Sequence, residues 1–502
     1  MEHKLDPIII GVAQYTQSKE RVPKLDPLSL MVKTSRNALD DMGSAVLKQH
    51  IDAIYMVNIN SWSYEDAPGE LAEKIGISPD RKVYLPDGGD SPQMLVNRAA
   101  KAISKGEHEA ILITGAEAAY AMYLSQKGKI KLNWPKRKAP NYMEGPLWHG
   151  TNEFENKYGV VIPSYSYAMF ETALRAASGR KMNEHTRYMG KLFAHFSKIA
   201  SQNPHAWNQN AYSAEEISTA SPDNRKILHP YTKRMCANMF VDQSGTLIMT
   251  SVELAEKLKI NPKKWVYLMG GCDLKNVFNI TERPKIDESP AAREGSKLAL
   301  QRAGLKLEDI DKFDIYNCFP SIVQIIMKEL GISENDPRDL TLTGGLPYFG
   351  APWSNYSMHA IISASEIIRE NPSLKIMVIA NGGYNTKQSF GIYGNEASQE
   401  MWAENDDSKI IEQIMRNKLP EPIKKAEGMI TVEAYTIPYE RSGKPKKIII
   451  MGRLENGRRT LAVIQGDQEV LLRLEKEDLV GRSFPVHHDP KLDLNIVSIN
   501  KE

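Results

Sequence analysis

The feature that most constrains the fold is a succession of helix and strand that occurs twice along the chain in the same order. In the first copy, a helix over 91–105 precedes a strand over 110–114; in the second, a helix over 355–369 precedes a strand over 375–380, and glycines follow both strands. Short apolar strands alternating with amphipathic helices predict a layered α/β fold with parallel strands. The recurrence indicates an internal duplication, although any α/β protein repeats helix and strand to some extent.

Composition narrows the class of protein. The 502 residues carry 64 Lys and Arg against 62 Asp and Glu, a net charge of +2, so charge gives no argument for nucleic acid or a membrane surface as partner. No apolar run reaches the ~20 residues that cross a bilayer, and the N-terminal segment lacks the apolar core of a signal peptide. Cys236, Cys272 and Cys318 form no CxxC pair, which argues against a disulfide framework or a metal site. We expect a reduced, soluble, cytoplasmic protein with no bound metal.

Three regions are predicted along the chain. Residues 1–255 form the first half of the duplicated unit, residues 256–415 the second half, and residues 425–502 a separate C-terminal domain. The first half includes a loop excursion over 121–240 that is rich in Lys, Asn, His and aromatic residues. We expect this excursion to cover a ligand site, where its basic residues would suit a phosphorylated ligand.

The C-terminal domain has a different pattern. Beyond the linker over 419–422 the helical pattern stops, and short strands are predicted over 431–439, 447–454, 459–464 and 469–474. With the turn pair Asn456-Gly457, this pattern predicts a small antiparallel barrel of the oligonucleotide-binding (OB) type. Because aromatic residues that could stack bases are few, we favour protein docking or the covering of a ligand over nucleic-acid binding.

Five stretches carry a resemblance to a known family. They are Leu95–Glu117, His229–Thr232, Phe240–Gly245, Tyr316–Phe319 and Gly344–Pro352. In this order and spacing the chain resembles the thiolase superfamily over about residues 1–400. With its appended barrel it is similar to the thiolase-like proteins of type 1, which are related to the sterol-carrier-type thiolases. The resemblance implies a duplicated thiolase fold of αβαβα layers and a site for an acyl-coenzyme A thioester, with no other cofactor.

The resemblance also shows which catalytic groups are missing. Thiolase chemistry uses a cysteine nucleophile, a histidine base, a second cysteine and donors to the thioester oxygen. At the matching positions this chain has Gly88 or Gly89 for the nucleophile, Ala351 for the histidine, and Ala380 or Asn381 for the second cysteine. Tyr316 replaces a further family histidine. We therefore expect no normal thiolase turnover.

Other residues are candidates for the site. Tyr316, Asn317, Cys318 and His359 are candidates for catalysis, with burial in the core as the simpler interpretation of Cys318 and His359. Two residues at the start of a helix, Asp90 and Ser91, either cap it or lie where its N-terminus holds an anion. The predicted substrate-binding residues are Gly88, Gly89, Asp90, Ser91, Gly350, Ala351, Asn381, Gly382 and Gly383.

Together these observations predict a thiolase-like protein of lipid metabolism that binds acyl-coenzyme A without normal turnover. Two alternatives stay open: a coenzyme A acyltransferase or carbon–carbon lyase, such as a decarboxylase, with a non-standard site, and a scaffold that docks an acyl-processing protein through the barrel. In thiolases the strand before the nucleophile pairs across the dimer axis. Here residues 83–90 contain Pro86, acidic residues and glycines, so we expect a monomer or a dimer built differently.

Overall fold

The computed structural model describes residues 4–146 and 150–499, so the outermost residues of the first and last predicted domains lie outside the described residues. The strands are β1 Pro7–Thr16, β2 Ile51–Met56, β3 Arg81–Tyr84, β4 Ala110–Ala118, β5 Lys226–Leu228, β6 Tyr231–Thr232, β7 Asp242–Ser251, β8 Val266–Lys275, β9 Lys312–Ile315, β10 Ile376–Gly382, β11 Lys387–Gly394, β12 Gly428–Thr436, β13 Ile448–Leu454, β14 Arg459–Ile464, β15 Ser483–Asp489 and β16 Leu494–Val497. The α-helices are α1 Pro27–Asp41, α2 Ala67–Ile75, α3 Ser91–Ser104, α4 Ala119–Gln126, α5 Glu153–Lys157, α6 Pro163–Ala177, α7 Met182–Gln202, α8 Ala214–Ser218, α9 Val252–Lys257, α10 Pro290–Ala303, α11 Pro320–Leu330, α12 Tyr356–Glu370, α13 Ser408–Arg416 and α14 Gln468–Glu475.

The duplication is visible in the large sheet, whose strand order is β3-β2-β4-β7-β1-β8-β11-β10-β9. Outward from the centre, β1-β7-β4-β2 in the first half corresponds to β8-β11-β10-β9 in the second. The helices correspond as well, because α1 follows β1 as α10 follows β8, and α3 precedes β4 as α12 precedes β10. The predicted duplicated α/β fold is confirmed, whereas the domain boundaries stay a prediction.

The prediction of parallel strands is only partly correct, because the sheet is mixed. β2 pairs in parallel with β3 and β4, and β9 with β10. The central pairs, among them β1 with β7 and β8 with β11, are antiparallel. A strand that is buried on both faces has the same continuous apolar sequence in either orientation, so the pattern alone does not distinguish them.

Two helices lie in the interior and position the site. α3 and α12 pack against each other and the sheet, and Leu95 and Ala99 of α3 and Ile361 and Ile362 of α12 are fully buried. α12 is buried around nearly its whole circumference, as expected for a helix whose apolar residues are not confined to one face. This packing brings the loop before α3 next to the segment before α12.

The excursion is not a loop, contrary to the prediction. It folds into α4–α8 and the β5–β6 hairpin, and its long helices α6 and α7 contribute to an aromatic core with Phe170, Phe193 and Phe196 fully buried. Along α7 the residues Met189, Phe193, Phe196 and Ala200 repeat at helical spacing and pack inward. Because the region as a whole is polar, the sequence did not indicate these two amphipathic helices.

The C-terminal barrel is confirmed, with two corrections. It is closed, in the order β12-β13-β14-β16-β15, and its β14–β16 pair is parallel rather than antiparallel. The strand predicted over 469–474 is instead helix α14. The Asp467 side chain accepts a hydrogen bond from the N–H of Val470 at 3.1 Å, and Leu471 and Leu474, three residues apart, are buried. A short apolar run is compatible with either helix or strand, and here the N-cap Asp467 at its start favours the helix.

Two properties of the described chain bear on function. Within residues 4–146 and 150–499, no helix combines the length and apolar content needed to span a membrane. In the same residues, no three His, Cys, Asp or Glu side chains are grouped as metal ligands, and the three cysteines are free thiols.

Candidate functional site

The loop Asp87–Asp90, to which the resemblance assigns the nucleophile of the thiolases, lies between β3 and α3 and is held by residues of the second half. The backbone N–H of Gly88 donates to Ser354 Oγ at 3.1 Å, and that hydroxyl donates to Asp87 Oδ1 at 2.6 Å. One helical turn further, the Ser357 hydroxyl donates to the carbonyl oxygen of Gly89 at 3.0 Å. These bonds fix the two halves of the chain against each other at the position that the resemblance assigns to the site.

There is no room for a nucleophile on Gly89. A Cβ atom there would lie 2.5 Å from the carbonyl oxygen of Asn381 and 2.8 Å from the hydroxyl oxygen of Tyr316. On Gly88 it would lie 2.7 Å from Ser91 Oγ and 3.0 Å from the Nζ of Lys387. Because atoms of the fold fill the space that a cysteine side chain would need, glycine is required at 89 by packing.

Tyr316 and Cys318 follow β9 and are nearly buried. Burial raises the pKa of the Tyr316 hydroxyl well above its ordinary value, so it stays protonated. Burial also raises the pKa of the Cys318 thiol, which hydrogen-bonds to the hydroxyl of Tyr167. A thiol held in the protonated form is a poor nucleophile, so the local environment does not support catalysis by Cys318.

Asn317 between them supports a loop. Its Nδ2 donates to the carbonyl of Ile315 at 2.7 Å and to the hydroxyl of Tyr356 at 3.2 Å, and its Oδ1 accepts from the N–H of Leu346 at 2.7 Å. With these three bonds, Asn317 fastens the Gly344–Leu346 turn to β9 and has little capacity left for a ligand.

The turn after β10 contacts Tyr167 of the excursion, a residue that the sequence analysis did not predict to be near the site. Asn381 Nδ2 donates to the Tyr167 hydroxyl at 2.7 Å, and this hydroxyl donates to the Gly383 carbonyl at 2.9 Å. A Cβ atom on Gly382 would overlap Oδ1 of Asp90, so the turn and the loop before α3 interlock. Tyr167 belongs to helix α6, and no local signal in the sequence links it to the turn.

A second residue that sequence reasoning missed is Lys387, at the start of β11. Its Nζ lies 3.6 Å from Oδ1 of Asp90, a buried atom with no hydrogen-bond partner among the described residues. Asp90 is the N-cap residue of α3, but its side chain makes no capping bond, contrary to one of the two predicted roles. Ser91 instead completes the turn, with its N–H donating to the Gly88 carbonyl at 3.0 Å.

The remaining predicted site residues belong to α12 and the segment before it: Gly350, Ala351 and His359. Ala351 donates its N–H to the carbonyl of Asn238 at 2.9 Å, and Gly350 has a positive φ of 120°. His359 is fully buried in α12, with Nδ1 3.0 Å from Oε1 of Gln14. Burial lowers the pKa of His359 to about 3, so this histidine is neutral, and its hydrogen bond goes to β1 rather than to the loop at Gly88–Ser91.

Comparisons with known proteins identify the fold and the family that this chain is similar to. The family model "Thiolase-like protein type 1 additional C-terminal domain" matches residues 409–491. The crystal structure of a monomeric SCP2-thiolase like protein type 1 from Mycobacterium smegmatis is 32% identical over 100% of both chains, with a TM-score of 0.86. A more distant solved structure, the Ltp2-ChsH2(DUF35) aldolase, has 18% identity, covers 80% of this chain and 100% of that chain, and superimposes with a TM-score of 0.60.

Two curated proteins are similar over part of this chain. Acetyl-CoA acetyltransferase from Methanocaldococcus jannaschii is 21% identical over 306 residues, which are 60% of this chain and 70% of the relative. Sterol carrier protein 2 from Bos taurus is 24% identical over 357 residues, 69% of this chain and 60% of the bovine protein.

Proposed function

The chain belongs to the family of SCP2-thiolase like proteins of type 1, and from this premise we propose that it binds acyl-coenzyme A thioesters without forming an acyl-enzyme. The observation that carries the proposal is the filled space at Gly89, where the Tyr316 hydroxyl and the Asn381 carbonyl take the place of a nucleophile. Thiolase turnover needs a thiolate beside the thioester carbon, and the nearby Cys318 thiol is protonated.

Donors for a thioester oxygen remain at this position. The backbone N–H groups of Gly89 and Asp90 donate to no group in the described part of the chain, and Gly89 is partly exposed. The Tyr316 hydroxyl, beside Gly89, likewise has no hydrogen-bond partner there. Adjacent free N–H groups at the start of an α-helix, with a hydroxyl beside them, suit a carbonyl oxygen that carries partial negative charge.

Titration calorimetry with acetyl- and acetoacetyl-coenzyme A tests the proposal, combined with mass spectrometry of the intact protein after incubation. We expect saturable binding, no covalent adduct and no release of acetyl-coenzyme A from acetoacetyl-coenzyme A. Absence of binding for every acyl chain length would refute the binding function. A substrate fragment attached to the protein during ketone cleavage would refute the non-covalent mode.

A second candidate function, decarboxylation of a 2-carboxyacyl thioester such as malonyl-coenzyme A, is favoured by the position of Lys387. Its ammonium group lies beside Gly88, where it can neutralise a carboxylate, and the free N–H groups can hold the oxygen of the enolate that forms when carbon dioxide leaves. The electron pair of the broken bond stays on the enolate, which takes a proton from water. The test is the rate at which carbon dioxide is released from malonyl-coenzyme A. A rate that falls in Lys387→Met but not in the control Lys375→Met would support this candidate, and equal rates in the two variants would exclude it.

We also propose that the protein is monomeric. β3, which precedes the loop at Gly88, is an edge strand of the large sheet, and its outer edge is occupied by the chain itself. The N–H of Glu144 donates to the Tyr84 carbonyl at 2.8 Å, and the Glu144 carboxylate forms ion pairs with Arg81 and Arg98. A covered edge cannot pair with a second copy. The M. smegmatis relative is described as monomeric, and sedimentation of this protein as a stable dimer would overturn the proposal.

A further inference from the structure

A cavity of about 970 Å³ lies away from the Gly88–Ser91 loop, where the excursion meets the barrel. Its walls are the turn between α6 and α7, the β5–β6 hairpin and the end of α14. Its volume is in the upper part of the range for small-molecule sites. A stacked layer of aromatic rings separates it from Cys318: Tyr231, on the cavity wall, stacks on Phe319, and Phe319 stacks on Tyr167.

The carboxylates of the cavity are mostly engaged. Glu171 is buried and accepts hydrogen bonds from His185, Gln324 and Tyr231. In the barrel wall, Asp478 pairs with Arg175 at 2.5 Å and Glu475 pairs with Lys226. The remaining acid, Glu184, accepts a bond from the N–H of Lys181 at the start of α7. The two ion pairs tie the barrel to the excursion and balance the charges of Asp478 and Glu475.

The cationic groups are not all engaged. Lys181, Arg187 and Lys476 line the cavity without an ion pair to any described carboxylate. The 21-residue helix α7 begins on the wall, and its first turn adds positive potential. In addition, Arg175 is 8% exposed and lines the cavity, and its Nε, although nearly inaccessible, has no hydrogen-bond partner among the described residues. The other nitrogens of this guanidinium already donate to the carbonyl of Arg180 and to Asp478, so Arg175 belongs to the built wall of the cavity.

We propose that this cavity binds a phosphate-bearing organic anion of nucleotide size, and that the barrel serves to complete its wall. Lys181 and Arg187 come from the excursion and Lys476 from the barrel, so cations from both regions face one space. The phosphate group can belong to the nucleotide end of a coenzyme A thioester or to a separate nucleotide, because both present the same charged group. The inference does not depend on thioester binding at Gly89.

Titration calorimetry of the full-length chain with adenosine diphosphate and with inorganic phosphate tests this site. We expect saturable binding of adenosine diphosphate that weakens with added salt, as charge-driven binding does. The charge-reversed variant Lys181→Glu/Arg187→Glu/Lys476→Glu should lose affinity about tenfold or more. A matched control is Lys191→Glu/Lys198→Glu/Lys491→Glu, which changes three exposed lysines on α7 and the barrel that do not line the cavity.

The outcomes separate the possibilities. Loss of adenosine diphosphate affinity in the cavity variant but not in the control supports the site; equal affinity in both, or no binding by the wild type into the millimolar range, overturns it. Acetyl-coenzyme A and S-acetylpantetheine, which lacks the nucleotide, distinguish the source of the phosphate. If the cavity variant has a lower affinity for acetyl-coenzyme A but an unchanged affinity for S-acetylpantetheine, the nucleotide end of the thioester occupies the site. If its affinity for both compounds is unchanged, the ligand is a separate nucleotide. Failure of S-acetylpantetheine to bind the wild type would count against the function proposed at Gly89 and leave the cavity unaffected.

Discussion

The loop at Gly88–Ser91 and the cavity at the barrel differ in how the chain builds them. At the loop, backbone groups and buried side chains such as Tyr316 and Asn381 fill the space, and a single added carbon has no room. At the cavity, charged side chains at the rim leave about 970 Å³ open. The loop therefore behaves as part of the core and the cavity as part of the surface. We expect added side-chain volume in the first region to cost much stability, and replacement of an exposed charge in the second to cost little.

The largest effect is expected from Gly89→Cys, which places a sulfur at one of the two positions that the resemblance assigns to the nucleophile. The new Cβ would lie 2.5 Å from a backbone oxygen, so we expect a loss of about 2–3 kcal/mol in the free energy of unfolding and no thiolase activity. Denaturant titration measures the loss. Gly466→Cys is the control, because this glycine is exposed and its nearest neighbour would lie at 3.1 Å. Unchanged stability of Gly89→Cys would show that the loop is not packed as a core.

A pH effect is expected from the buried His359. In the unfolded chain it takes up a proton near pH 6.5, whereas in the folded protein it does so only near pH 3. Between these values the unfolded state binds more protons, so this residue makes stability rise with pH by about 1.4 kcal/mol per unit. His359→Gln should reduce the slope of stability against pH by that amount between about pH 4 and 6. At pH 8 the histidine is neutral in both states, so the difference in the free energy of unfolding between wild type and variant there gives the packing cost alone. An unchanged slope of stability against pH in the variant would contradict burial of the neutral ring.

A smaller effect is expected for Tyr316→Phe, which removes the free hydroxyl beside Gly89. We expect affinity for acetyl-coenzyme A to fall by about 1 kcal/mol, roughly fivefold, with little change in stability, because the hydroxyl has no partner inside the described protein. Tyr356→Phe is the matched control. Its hydroxyl bonds to Thr343 and Asn317, so this variant should lose stability. The reverse result would mean that Tyr316 is structural.

The smallest effect is expected at the cavity. Lys226 pairs with Glu475 across the joint between excursion and barrel, but its side chain is 44% exposed. Exposed ion pairs contribute little, so Lys226→Met should change the free energy of unfolding by about 0.5 kcal/mol, and the difference should shrink in 1 M salt. A loss of more than about 2 kcal/mol would show that the cavity wall is as tightly built as the loop.

Much of the fold could be predicted from the sequence. The strand predicted over 459–464 is β14, and the helix predicted over 91–105 is α3 to within one residue. Such elements follow from local periodicity and glycine stops. The errors arose where a local pattern is compatible with two structures: the run 469–474 contains apolar residues at a spacing that helix and strand both allow, and buried strands do not reveal their orientation.

The site could be predicted only in part. Gly88, Gly89, Tyr316 and Asn381 do lie together, whereas their assignment to a substrate site stays a prediction. Tyr167 and Lys387 were missed, because each reaches the site from an element with no local signal for function. Tyr167 contacts a turn more than 200 residues later in the chain, and only the packing of α6 against the second half brings the two together.

By itself the sequence determined that no cysteine or histidine stands at positions 88–91, 351 or 380–381, where the resemblance implies the thiolase groups. The tertiary structure alone decided that a tyrosine hydroxyl and a carbonyl oxygen crowd Gly89, that His359 bonds to β1, and that the barrel lines a charged cavity. The physical reason is that composition and periodicity encode local torsion angles and burial, whereas the distance between two side chains depends on how elements far apart in the chain pack together.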